Sequence, residues 1–152
     1  MPAMEPLSSL LGIDSRKLSK EENFLLEAEL FMLVCTTLKE NFLKQQKDYF
    51  RSINLPVGME NIMIEANYAR LIILDILATD NYTITGIANY TDTPEDVISD
   101  IYGGFNKNPS AMFLQKLIQL HRTVRYDLYK EIIKKIICGY MCLYNEGEKK
   151  TA

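Results

Sequence analysis

The sequence predicts an all-α protein, a helical bundle preceded by a long N-terminal helix, and three observations predict it. Apolar residues recur at three- and four-residue steps through most of the chain from Phe24 to Leu143, the spacing of one buried helical face. Punctuating residues separate the runs: Leu55-Pro56-Val57-Gly58, Thr93-Pro94, Gly103-Gly104 and Pro109-Ser110. Capping patterns stand at the run starts, beginning with Ser19 and Glu22 three positions on. With 152 residues and 47% hydrophobic content, the chain has enough apolar material for one domain with an extension.

Met1 to Ser19 lacks sustained periodicity and reads as a loosely held arm, in which Leu7, Leu10, Leu11 and Ile13 can dock as a short turn. The Ser19/Glu22 capping box then opens one helix running to about Ile53. Its first half, with Phe24, Leu25, Leu30, Met32, Val34, Cys35 and Leu38, is apolar on more than one face. Leaving so broad a face wet would cost on the order of 25 cal/mol per Å². The expectation is enclosure, either by the chain's own core or by a second copy in a homodimer. Residues 1–58 therefore form an arm and a long packing or dimerisation helix.

Residues 59–145 form the next expected unit. A helix spans Met59 to Ala78, and Asp80-Asn81 turns the chain into a short helix from Thr83 to Ala88. A tight turn around Tyr90 to Asp92 follows. Thr93 then offers its hydroxyl as a cap, Pro94 fills the first helical position, and Gly103-Gly104 stops that helix. Ser110 opens a helix to about Arg122, and a last one runs from Val124 to Tyr144. Residues 146–152 are polar and read as a flexible tail.

Two short helices about a sharp corner, with Thr83, Ile87 and Ala88 in the first, Pro94 to Gly104 as the second and Asn108-Pro109-Ser110 opening the next, make a helix-turn-helix. The pattern resembles the DNA-binding domain of the lambda-repressor and Cro family, the Xre-like proteins, over about residues 62–122. The resemblance implies a transcriptional regulator, dimeric on double-stranded DNA, whose second motif helix enters the major groove. On that reading Thr93, Glu95, Asp96 and Ser99 face bases, and Thr83, Thr85, Asn106, Lys107 and Asn108 hold phosphates. Ile84 stands where the family carries a phosphate-contacting glutamine.

Charge opens an alternative. Between Asp80 and Pro109 the acids Asp80, Asp92, Glu95, Asp96 and Asp100 face Lys107 alone. Acids repel the DNA backbone, although Glu95 and Asp96 also suit the positive end of a helix, and a carboxylate can accept from cytosine N4. The other reading is an adaptor that keeps the helix-turn-helix shape and binds a protein partner. Lys107, Lys116, Arg122, Arg125, Lys130, Lys134 and Lys135, with His121, form either an electropositive stripe or ordinary solvated helix faces. A net charge of -3 restricts any nucleic-acid contact to a local one.

No catalytic constellation is present in the pattern. The single histidine, His121, is expected to face solvent or top a carbonyl, and no phosphate-cradling loop motif occurs, so the chain does not read as an enzyme. The three cysteines, Cys35, Cys138 and Cys142, lie in apolar runs and read as buried thiols, with neither a metal nor a cofactor implied. No secretory signal and no apolar stretch of about 20 residues is seen, so no membrane partner and a cytoplasmic location are expected.

Overall fold

The computed structural model describes residues 6–56 and 58–150 and, Ser15 apart, their side chains as far as residue 139. Among the described residues the chain is all-helical, as expected, and forms a helical bundle with a long N-terminal helix. The helices are α1 (Lys20–Ser52), α2 (Met59–Ala66), α3 (Tyr68–Ala78), α4 (Ile84–Thr91), α5 (Glu95–Tyr102), α6 (Ala111–Val124) and α7 (Tyr126–Lys150). Two 3₁₀ turns, Leu7–Leu11 and Ser15–Lys17, precede them. No described helix is long and apolar enough to cross a membrane.

The chain divides into two compact units, one holding Met1–Leu38 with Asp127–Ala152 and the other Lys39–Tyr126. This division differs from the boundary expected near residue 58, because α1 lends its first part to one unit and its remainder to the other.

In the first unit the capping box forms as read: Glu22 N–H donates to Ser19 Oγ at 3.1 Å and Ser19 N–H to Glu22 Oε1 at 3.4 Å. The expected loose arm is held instead. Leu7 and Ser8 are buried, and their N–H groups donate to the two Glu27 carboxylate oxygens at 2.9 and 2.8 Å. Leu30, Val34 and Leu38 are buried at four-residue steps along α1, as are Tyr129, Ile132 and Ile133 on α7. Among the described residues the enclosure expected for the rest of the apolar first half of α1 is partial: Leu26, Phe31 and Leu33 are half-buried, while Phe24 is 73% exposed and Met32 70%. Two further expectations change. Cys138 is exposed, because every described residue of α7 beyond Ile136 is, and Cys35 is half-buried; the Cys142 side chain lies outside the described residues. The backbone expected to fray from residue 146 stays helical to Lys150, with 151 and 152 outside the described residues.

In the second unit the expected single helix from Met59 to Ala78 is two. Asn67 breaks it at φ −115°, ψ 14°, and both its N–H, at 3.1 Å, and its side-chain Nδ2, at 2.9 Å, donate to Met63 O. Helices α3, α4, α5 and α6 pack on one another. Their core is Ile72, Ile73 and Ile76 from α3, Ile87 from α4, Ile98 and Ile101 from α5, and Leu117, Ile118 and Leu120 from α6. Phe42 of α1 meets Tyr68 edge-on, with ring centroids 6.3 Å apart.

Candidate nucleic-acid interface

The corner between α4 and α5 is built by three local devices. Thr83 caps α4, its Oγ1 accepting from Gly86 N–H at 3.1 Å. At the other end Asp92 takes the left-handed conformation, φ 51°, while Thr93 N–H donates to Ala88 O at 3.0 Å and Asp92 N–H to Asn89 O at 3.4 Å. This paired closure lets the chain reverse at once into α5, with an aspartate where glycine is commoner. Gly104, φ 80°, closes α5 in the same way, through Phe105 N–H to Asp100 O at 2.8 Å and Gly104 N–H to Ile101 O at 3.1 Å.

The cap expected from Thr93 is corrected. Pro94 is the residue before α5, and Thr93 turns its hydroxyl back to donate to Thr91 O at 3.2 Å, because its backbone is already spent closing α4. Asp96 Oδ1 takes up an orphan donor of the first turn, Val97 N–H, at 3.1 Å.

Helix α5 buries Ile98 and Ile101 and exposes Glu95, Asp96, Ser99 and Asp100. The residues expected to face bases therefore share its outer side, apart from Thr93, which is half-buried. Thr85, Lys107 and Asn108 are exposed, and Asn106 is half-buried with its Oδ1 accepting from Asn108 N–H at 3.1 Å. Thr83 is exposed as well, but its hydroxyl is committed to its cap.

Cations bracket the acidic outer side. Beside the turn that leads into α5, Lys116 Nζ donates to Thr91 O at 3.4 Å. At the far end, Arg70 Nε donates to Tyr102 O at 2.9 Å, and Lys107 follows in the next loop. Arg70 is a residue that sequence reasoning missed. Its signal was a lone charge inside the apolar run from Ala66 to Leu74, which an amphipathic helix explains equally well. Phe105, 86% exposed just past Gly104, was missed too.

Of the basic residues that could make an electropositive stripe, two are not on the surface. His121 is wholly buried and Arg122 nearly so, whereas Lys130, Lys134 and Lys135 belong to the other unit. His121 also departs from the solvent-facing role expected of it. It falls on the same side of α6 as Leu117 and Ile118, and its Nε2 lies 2.6 Å from Asp75 Oδ2 of α3.

No protein-family model matches the chain, no curated protein matches it, and no solved structure matches it.

Proposed function

We propose that the chain is a DNA-binding transcriptional regulator of the helix-turn-helix type, with α5 as the helix that enters the major groove. The observation that carries this reading is the pairing of an exposed outer side on α5 with a cation near each end, Lys116 by the turn and Arg70 with Lys107 beyond Tyr102. Phosphates flank a groove on both sides, so cations belong at the ends of a reading helix and base-directed groups between them. Glu95 and Asp96 then accept from cytosine N4, Ser99 reads either donor or acceptor, and Lys107, Asn106 and Asn108 hold the backbone. The same reading pairs two copies through Phe24, Leu25 and Met32, which lie on one side of α1 and are exposed.

Fluorescence polarisation of the full chain against duplex DNA from upstream of its own coding region tests the reading. Affinity should fall by orders of magnitude between roughly 50 and 200 mM salt as condensed counterions compete. Binding that ignores salt, or none at all, rejects it. Light scattering checks the pairing: a dimer that becomes monomeric in Phe24→Glu supports it, and a monomeric parent chain removes it.

A second reading is favoured by a specific observation, the exposed Phe105 just past a helix whose outer side carries Glu95, Asp96 and Asp100. An exposed aromatic following an acidic helix face suits a basic protein surface. On this alternative the chain is an adaptor, and Phe105→Ala abolishes partner binding while DNA affinity is absent throughout.

A further inference from the structure

The second unit contains a cleft whose lining includes Arg70, Asn106, Lys107 and Asn108, residues that the helix-turn-helix reading places on the DNA backbone. Its cavity of about 230 Å³ opens between the second half of α1, the kink at Asn67 and the loop from Gly104 to Pro109. Ala69, Ile101 and Leu114 line it with apolar surface, and the polar groups around it come from three separate stretches of chain.

Those polar groups are not balanced in charge. Lys39 is already engaged: its Nζ lies 2.8 Å from Glu65 Oε1 and 4.9 Å from the centre of the Tyr68 ring. Arg70 and Lys107 line the same cleft, and among the described residues no carboxylate lies within ion-pair distance of either. The bond from Arg70 Nε to Tyr102 O fixes the root of the guanidinium and leaves its terminal nitrogens to donate. Gly104 passes directly beside it, and a Cβ there would stand 3.9 Å from Arg70 Nη1, narrowing the opening. Asn106 has its Oδ1 committed to Asn108 N–H, which turns its remaining side-chain capacity toward donating.

A guanidinium, an ammonium and an amide N–H converging on one concavity match the oxygens of a phosphoryl group, which accept from several directions and carry the opposite charge. The volume bounds the rest of the ligand, being below the roughly 300–1,000 Å³ typical of drug-sized sites. Glu65, with one oxygen on Lys39 and the other facing no recorded donor, supplies an acceptor for hydroxyl groups. We propose that this cleft binds a small phosphomonoester of the sugar-phosphate class, through Arg70 and Lys107, the same cations that the DNA reading gives to backbone phosphates.

A free sugar phosphate and the backbone of a nucleic acid share this chemistry, and the test separates them. Calorimetric titration of the full chain with ribose 5-phosphate should give saturable binding, with ribose giving none. Lys107→Glu should weaken that binding at least tenfold. Lys107 is exposed and enters no recorded hydrogen bond, so this variant keeps the fold, as circular dichroism will verify. Lys47→Glu, an exposed site outside the cleft with the same change in net charge, should leave binding as it was. Arg70→Gln should also weaken it. Absence of saturable binding, or an affinity equal in the parent chain and Lys107→Glu, overturns the proposal. So does a Lys107→Glu effect confined to duplex DNA with ribose 5-phosphate unbound, which would assign the cations to the nucleic-acid backbone.

Discussion

His121 Nε2 stands 2.6 Å from Asp75 Oδ2, and the histidine that makes this contact is wholly shielded from solvent. Arg125 adds a longer approach, its Nη1 3.8 Å from Asp75 Oδ1. Helix α3 is thereby tied to α6 and to the residue that ends it. The His121 hydrogen bond is the main cause holding the Asp75 carboxyl below its ordinary value of 3.8; burial opposes that shift, and the electrostatic interactions with His121 and Arg125 reinforce it.

The sign of that shift sets a pH dependence. A carboxyl that is more acidic folded than unfolded adds stability in full above its ordinary titration range, and that stability drains away as pH falls through 3.8 and below. Urea unfolding should therefore show Asp75→Asn destabilised by about 1–3 kcal/mol at neutral pH, the cost of a lost hydrogen bond to a charged group. The gap between parent and variant should begin to narrow as the pH falls below about 5 and keep narrowing through 3.8 and below. A gap that stays constant over this range would show that the carboxylate charge contributes nothing.

The two sides of α5 should respond oppositely to truncation. Ile98 is 0% exposed, and Ile98→Ala should cost about 2–5 kcal/mol through lost burial and the cavity left behind. Its neighbour Ser99 is exposed, so Ser99→Ala should stay within about 0.5 kcal/mol of the parent. Chemical denaturation of both variants checks the contrast; comparable losses would mean that the outer side of α5 is engaged rather than open.

Asp92 carries the corner between α4 and α5 at φ 51°. Aspartate tolerates this conformation and glycine adopts it freely, whereas a β-branched side chain does not. Asp92→Gly should be close to neutral, and Asp92→Val should lose about 1–3 kcal/mol. Thermal unfolding of the pair decides it. Equal midpoints for glycine and valine would mean that the turn relaxes out of the left-handed region without cost.

The parts of the fold written in local chemistry were legible beforehand. The Ser19/Glu22 box, the helix start at Ser110 and the glycine stop at Gly103-Gly104 each depend on neighbours within a few residues, and each formed where the pattern put it. What escaped depends on partners far away in sequence or on one side chain's bond to a nearby carbonyl. Asn67 leaves helical geometry at φ −115° while its side-chain amide caps Met63 O, a local device that periodicity does not register. His121 goes inside because Asp75, 46 residues away, supplies a partner. Of the candidate site, the outer residues of α5 were readable from spacing. Arg70 was not, since its role comes from reaching the carbonyl of Tyr102, 32 residues on.

The hold on the N-terminal segment by Glu27 offers a last, sharply local test. Both carboxylate oxygens accept backbone donors, from Leu7 at 2.9 Å and from Ser8 at 2.8 Å, and bonds to a charged acceptor are the stronger kind. Glu27→Gln keeps the length and shape of the side chain but turns one oxygen into an NH₂ group, which then faces an N–H with no lone pair to offer. One of the two bonds is lost and a donor is set against a donor. The segment is short, so it should open locally while the bundle stays folded. Hydrogen exchange should register this as a loss of protection at the Leu7 and Ser8 amides of about tenfold or more, corresponding to roughly 1.4 kcal/mol. Amides in the middle of α1 and in α3 should exchange as before. If Leu7 and Ser8 retain their protection in the variant, burial of the Leu7 side chain, only 6% exposed, is by itself what seats the turn.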